Sequence, residues 1–278
     1  MPYPRFRINM PLSELGYALF PGRLELPPAK MVDQFRETLK DYGSFSHVIP
    51  VSSGRGGFKL LLESLDLETG VEIIFPAYTF HPMPLVARAC GLKPVFADVD
   101  PETWNIDPDS VRERITDKTR IIMPTHLYGV PADMGILNGI ARKHGLFVVE
   151  DCAHALGAKY QGRVVGNFGN AALLTFAMSK NLPCWGGGAM VVEEPDLARR
   201  MEEKIKKESL PSRRSVLKRQ RFNAAALIFT QPFFFSWSLY PALRLADCTG
   251  SDIFDRPFLE PVPDPREIGD ELSKIKPD

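Results

Sequence analysis

The chain has 278 residues, with 34 Lys and Arg against 34 Asp and Glu, and 44% hydrophobic against 24% charged residues. That length buries a sizeable core, and the mix excludes a disordered or collagen-like chain. The balanced charge provides no global field to recruit nucleic acid, so any phosphate must be held locally.

In chain order, Met1–Met10 carries Arg5 and Arg7 but no apolar stretch, and does not read as a secretory signal. Met31–Tyr42 has the helical spacing of Met31, Phe35 and Leu39, with Gly43 as a stop. A second helix runs from Gly56 to Leu65. Short apolar runs then follow at Val71–Phe75, Pro94–Ala97, Arg120–Met123 and Leu146–Glu150, each reading as a buried strand. Helical patterns at Pro84–Cys90, Ser110–Ile115 and Met134–His144 separate them. Ala171–Phe176 and Ala189–Val192 read as two further strands, joined by a loop containing Gly186, Gly187 and Gly188. This alternation predicts an α/β fold, a mostly parallel sheet with helices on both faces.

The texture changes after Glu193. Asp196–Lys206 reads as a charged helix and Lys207–Arg221 as a basic, solvated face. Residues 222–243 carry no charge and have the length of a membrane span, but Gln231, Pro232 and Pro241 interrupt them. A span and an interfacial helix pair are alternatives, and burial in a core or subunit interface is the expected reading. From Asp255 the chain is rich in Pro and acidic residues and reads as extended. The sequence thus divides into residues 1–193, a large domain, and 194–278, a partial or divergent small domain with the apolar segment. The four cysteines, Cys90, Cys152, Cys184 and Cys248, form no CxxC pair, so neither a metal site nor a disulfide framework is expected and a reducing cytoplasm is the default.

In open parallel sheets, ligands gather at the carboxyl ends of the strands, so residues there are the first candidates. The loop Ser52–Gly57 precedes a helix, and its glycines allow close backbone approach to a phosphate, although a simple helix start reads equally well. Asp151 ends a buried strand, where a carboxylate is costly without a cation or donors; an N-cap is the plainer reading. His154 alone reads as structural. Lys180 follows an apolar strand, where desolvation would make its amine nucleophilic, unless it snorkels to water.

Together, SSGRGG, FPAYTF, KPVFADVDPETWNIDP, THLYGVPADM, VVEDCAHALGA and LLTFAMSKNLPCWGGGAMVV, in this order between about Val51 and Val192, resemble the DegT/StrS family of pyridoxal-phosphate-dependent aminotransferases, which mostly act on nucleotide-linked keto sugars. The resemblance implies an aspartate-aminotransferase-like large domain and the cofactor pyridoxal 5′-phosphate. It assigns Lys180 to the amine that condenses with the cofactor aldehyde and shuttles a proton, and Asp151 to the carboxylate paired with the pyridine nitrogen. His154 takes the place of a Gln or His beside the ring hydroxyl, and Phe80 that of the aromatic on the ring face. Gly54, Arg55 and Thr175 match the phosphate-holding residues.

Family members usually carry a small hydroxyl residue where Arg55 stands, so a guanidinium meets the phosphate here or that contact is lost. They also carry an acidic residue in the glycine turn, and continue for roughly a hundred residues more, so a shortened C-terminal region is expected here. The resemblance implies a cytoplasmic homodimeric transaminase of polysaccharide biosynthesis, moving an amino group, with glutamate as donor, to a keto sugar. Lys180 favours transfer, because relatives that dehydrate tend to carry histidine there. The alternative is a non-catalytic, cofactor-binding regulatory or membrane-associated protein.

Overall fold

The computed structural model describes Met10 and residues 15–16, 28–208 and 213–249. The tail predicted to be extended from Asp255 lies outside them. Helix α1 (Pro28–Gly43) leads to β1 (His47–Val51), α2 (Gly54–Ser64), β2 (Glu72–Pro76), α3 (Pro82–Ala89), β3 (Lys93–Ala97) and α4 (Pro108–Arg114). Then come β4 (Thr119–Ile122), α5 (Met134–His144), β5 (Phe147–Asp151), a short hairpin of β6 (Lys159–Tyr160) and β7 (Arg163–Val164), β8 (Ala171–Thr175), β9 (Gly188–Val192) and α6 (Pro195–Lys207).

Every predicted strand and helix forms. Boundaries shift where local chemistry fixes an earlier start: Pro82 and Pro108 open α3 and α4, because proline's missing N–H costs nothing in a first turn. Ser53 caps α2 by accepting from Gly56 N at 3.1 Å, starting it at Gly54 rather than Gly56. The β6–β7 hairpin was not predicted. Its turn is Gln161–Gly162, both left-handed, and Gly162 makes that conformation easy.

Seven strands form one sheet in the order β1-β9-β8-β5-β4-β2-β3. Strands β8, β5, β4, β2 and β3 are mutually parallel, while β9 runs antiparallel to both its neighbours. This places the carboxyl ends of β1, β8, β5, β4 and β2 along one edge, with Gly188, the first residue of β9, beside Val51 and Thr175.

Alternating residues feed opposite faces. Ile73, Leu173 and Met190 pack with Phe58 and Leu61 of α2 and Leu197 and Met201 of α6. Ile74, Ile122 and Val148 pack with Leu137 and Ile140 of α5. Near β1, Leu39 of α1 meets Ala172, Leu174 and Val191. Each Leu, Ile, Val, Met or Phe among them, fully buried, stabilises the fold by roughly 1.5–3 kcal/mol.

Beyond α6 lie α7 (Arg213–Phe229), a single turn at Pro232–Phe234, a π-helical turn at Phe235–Leu239, and α8 (Tyr240–Thr249). Pro232 cannot donate to the preceding turn, which ends α7. Among the described residues no helix is long and apolar enough to cross a membrane. Within the single chain, residues 222–243 are buried only in part. Ala224, Leu227 and Thr230 are buried, but Phe222, Phe229, Phe233, Phe234 and Trp237 are exposed. The small side chains form the inward stripe of α7, and Phe222 and Phe229 fall on the opposite side of the helix.

Candidate active site

Four connections converge where the parallel strands end. The first follows β1. Val51 leads through Ser52 and Ser53 into α2, whose first turn has no acidic residue, so its positive end faces this edge uncompensated. A Cβ at Gly54 would meet Leu173 at 3.5 Å and Thr175 Cβ at 3.6 Å, so Gly54 and Thr175 border one small space. Arg55 is the second residue of α2 and half-buried. Gly188 seals the same corner: a Cβ there would stand 2.7 Å from the Leu174 carbonyl and 3.3 Å from Gly54 N.

The second connection follows β2 and presents Tyr78, Thr79 and Phe80. Thr79 bonds Thr125 hydroxyl to hydroxyl at 3.0 Å, fixing this loop to the one after β4. The third, after β4, holds Tyr128 in a left-handed conformation, φ 51°. Buried Asn105 clamps it, accepting from Leu127 N at 3.0 Å and donating to the Val130 carbonyl at 3.0 Å. Tyr128 meets the Tyr78 hydroxyl at 2.7 Å, and its ring stacks on His154 with centroids 5.9 Å apart. Trp104 meets the Tyr78 ring edge-on at 5.6 Å.

The fourth connection runs between β8 and β9. Phe176 N donates to Gly187 O and Cys184 N to Phe176 O, closing a loop with Lys180 near its tip. Gly186 and Gly187, at φ 126° and 96°, make the turn back, a path closed to ordinary side chains. Asn181 donates to the Leu156 carbonyl at 3.0 Å, tying this loop to the segment carrying His154.

Asp151 stands at the centre, fully enclosed at the end of β5. Its Oδ1 accepts from Ala153 N at 3.0 Å. Burial pushes its carboxyl above the usual range, against weaker pulls from Ala153 N–H, Lys180, His154 and His126. Burial likewise depresses the Lys180 amine, which Asp151 partly offsets, and lowers His154, helped by Lys180. Asp151 and Lys180 feel each other's charge without a direct ion pair among the described residues, and His154 Nδ1 is buried there without a hydrogen-bond partner. A buried acid short of a cation, an orphaned imidazole nitrogen and an amine of lowered basicity thus face one space, which suits a ligand with a protonated ring nitrogen, a ring hydroxyl and a carbonyl. The bare end of α2 suits its phosphate.

All seven residues singled out from sequence lie at this edge: Gly54 and Arg55 in the first turn of α2, Asp151 and Thr175 at strand ends, and Phe80, His154 and Lys180 in connections. Sequence reasoning gave no role to the rim of Tyr78, Trp104 and Tyr128. Its signal was the Tyr-Gly pair at 128–129, where Tyr128 takes a backbone conformation rare for a bulky residue.

Beneath the site, Glu150 is a separate buried device. It accepts from Gly166 N (2.8 Å), Phe168 N (2.7 Å) and Gly169 N (2.6 Å), and pairs with His126 Nε2 at 3.0 Å. His126 Nδ1 accepts from Ala132 N, so Nε2 carries the proton. His126, Glu150 and Cys152 lie close enough to hold a metal ion, but these bonds already use the imidazole and both carboxylate oxygens. The cluster braces the loops on either side of Asp151.

The profile of the DegT/DnrJ/EryC1/StrS aminotransferase family matches residues 24–222. The chain is 40% identical over 165 residues to a pleiotropic regulatory protein of Geobacillus stearothermophilus, covering 59% of this chain and 44% of that protein. It is 39% identical over 190 residues to dTDP-3-amino-3,4,6-trideoxy-alpha-D-glucose transaminase of Streptomyces venezuelae, 68% of this chain and 50% of that one. The fold superposes on NtdA from Bacillus subtilis with bound cofactor PMP at a TM-score of 0.61 and 27% identity, over 78% of this chain and 53% of that one. The chain spans about half the length of these relatives.

Proposed function

The chain belongs to the DegT/DnrJ/EryC1/StrS aminotransferase family, and from that premise we propose that it is a pyridoxal-5′-phosphate-dependent aminotransferase acting on a nucleotide-linked keto sugar, in the manner of its transaminase relative. The observation that carries this reading is the pairing of Lys180, its basicity lowered by burial, with Asp151, a buried carboxylate lacking a salt bridge among the described residues.

When bound, pyridoxal phosphate supplies a carbonyl that takes an amino group and a ring that accepts the electron pair released at the neighbouring carbon. Lys180 holds the cofactor and moves a proton at Nζ. Asp151 would keep its charge by meeting the protonated ring nitrogen, and His154 Nδ1 would meet the ring hydroxyl. Phe80 would cover a ring face, while Gly54, Arg55 and Thr175 would hold the phosphate against the end of α2. Residues 1–193 form the large cofactor-binding domain, onto which α6 packs. Glutamate as donor, a homodimer, a cytoplasmic location and a place in polysaccharide biosynthesis complete the reading; they rest on the family likeness.

Incubation with pyridoxal phosphate and labelled glutamate should convert glutamate to 2-oxoglutarate in the wild type and not in Lys180→Ala. Multiple turnover should then appear with a keto sugar nucleotide. Absence of the first half-reaction in wild type would refute the proposal. A second reading, a regulator that binds the cofactor without transfer, draws support from the likeness to the Geobacillus regulatory protein. It expects cofactor binding with no turnover on any acceptor.

A further inference from the structure

The aminotransferase reading leaves α7 to α8 unused. Residues 214–245 contain five cations, Arg214, Lys218, Arg219, Arg221 and Arg244, and no Asp or Glu, in a chain whose charges cancel as a whole. A helix facing water ordinarily carries charge along its outer side. On α7 the outer stripe changes character midway: Arg214, Lys218 and Arg221 give way to Phe222, Ala225 and Phe229, all exposed. Past the Pro232 break, Phe233 is 64% exposed and Trp237 69%, with Tyr240 following at helical spacing and Arg244 one turn later. Phe234 and Leu245 are exposed as well. The sequence is therefore cations, then exposed aromatics around a proline break, then a cation.

We propose that this segment docks the protein on the surface of an anionic lipid bilayer. Trp, Tyr and Phe sit favourably at the boundary between headgroups and acyl chains, and arginine and lysine beside them meet anionic headgroups. The helices are too short and too interrupted to cross, so the segment lies in the interface. Charge argues against a second copy on the same face: two-fold pairing would set the five cations of each copy against those of the other without an intervening carboxylate from the segment. Asn223 donates to the Trp185 carbonyl at 2.9 Å, so the docked helix is tied directly to the glycine turn behind Lys180.

The test uses the full chain, loaded with cofactor, and sedimented vesicles. Vesicles of phosphatidylcholine containing phosphatidylglycerol should retain the protein, with affinity reduced about tenfold or more on phosphatidylcholine alone. Phe233→Ser combined with Trp237→Ser should release it from both, and Lys218→Glu with Arg221→Glu should abolish the preference for the anionic lipid. Wild type should also show a blue shift of tryptophan emission and quenching by brominated lipid. Trp237→Phe should lose most of that signal while staying bound. Protein that remains in the supernatant with anionic vesicles overturns the proposal, including where sedimentation velocity finds this face buried between two copies. Binding that survives the double serine variant overturns it too. Each outcome is read without reference to transfer activity, so failure here is separable from failure of the aminotransferase reading.

Discussion

The Lys180 amine lies 5.9 Å from the centre of the Phe80 ring, although the two residues come from loops far apart in the chain. β2 delivers Phe80 and β8 delivers Lys180 to the same edge because both strands run parallel, with β4 and β5 between them. The amine and the aromatic face border one space, and Asp151 closes it from the end of β5.

If Lys180 holds the cofactor and moves the proton, Lys180→Arg should keep the charge and fold but lose amine transfer by roughly 10²–10⁴-fold or more, the usual range for removing a proton-transfer group. Single-turnover conversion of glutamate measures this. Retention of the wild-type rate would assign the chemistry elsewhere.

Asp151→Asn separates stability from binding. Burial raises the Asp151 carboxyl in the folded protein, so the folded state holds its proton more tightly than the unfolded one. Stability from this group is therefore fully present below the unfolded value near 3.8 and is lost as pH rises through the raised folded value. The cofactor-free Asn variant should thus melt above wild type at pH 7.5, by on the order of 1–3 kcal/mol, and the gap should close toward pH 4. Adding pyridoxal phosphate should reverse the order, because wild type gains a cationic partner for Asp151. Thermal melts across pH, with and without cofactor, check both signs.

Gly188→Ala should drive a methyl into the Leu174 carbonyl, prising β9 from β8 beside the start of α2. We expect a loss of about 1–3 kcal/mol in urea unfolding. Affinity for pyridoxal phosphate should fall more than affinity for pyridoxal, since the distortion falls on the phosphate corner.

Glu150→Gln places an amide N–H₂ among groups that already donate. With Gly166, Phe168, Gly169 and His126 all directed at the carboxylate, a loss on the order of 2–4 kcal/mol is expected by denaturant titration. Addition of zinc should not stabilise wild type, because the His126 ring nitrogens and both Glu150 oxygens are already bonded.

The sheet was legible because strands buried on both faces read as unbroken apolar runs, as at Glu72–Pro76 and Gly188–Val192. The candidate residues were legible as strand-end polar groups in six ordered motifs, and the fold collects them. The rim was not, because Tyr78 and Tyr128 meet only through the pairing of distant strands, and the sequence gives no distance between their hydroxyls. Residues 222–243 were legible only in part, for a different reason. An uncharged run indicates affinity for an apolar environment but not whether protein supplies it, and here Phe233 and Trp237 remain exposed.

The central claim is that the Lys180 amine is the cofactor's point of attachment. Reduction with borohydride after addition of pyridoxal 5′-phosphate, followed by peptide mass spectrometry, tests it most directly. The expected result is one stoichiometric adduct on the peptide containing Lys180, absent from Lys180→Ala. An unmodified Lys180, or an adduct confined to other lysines, would contradict it.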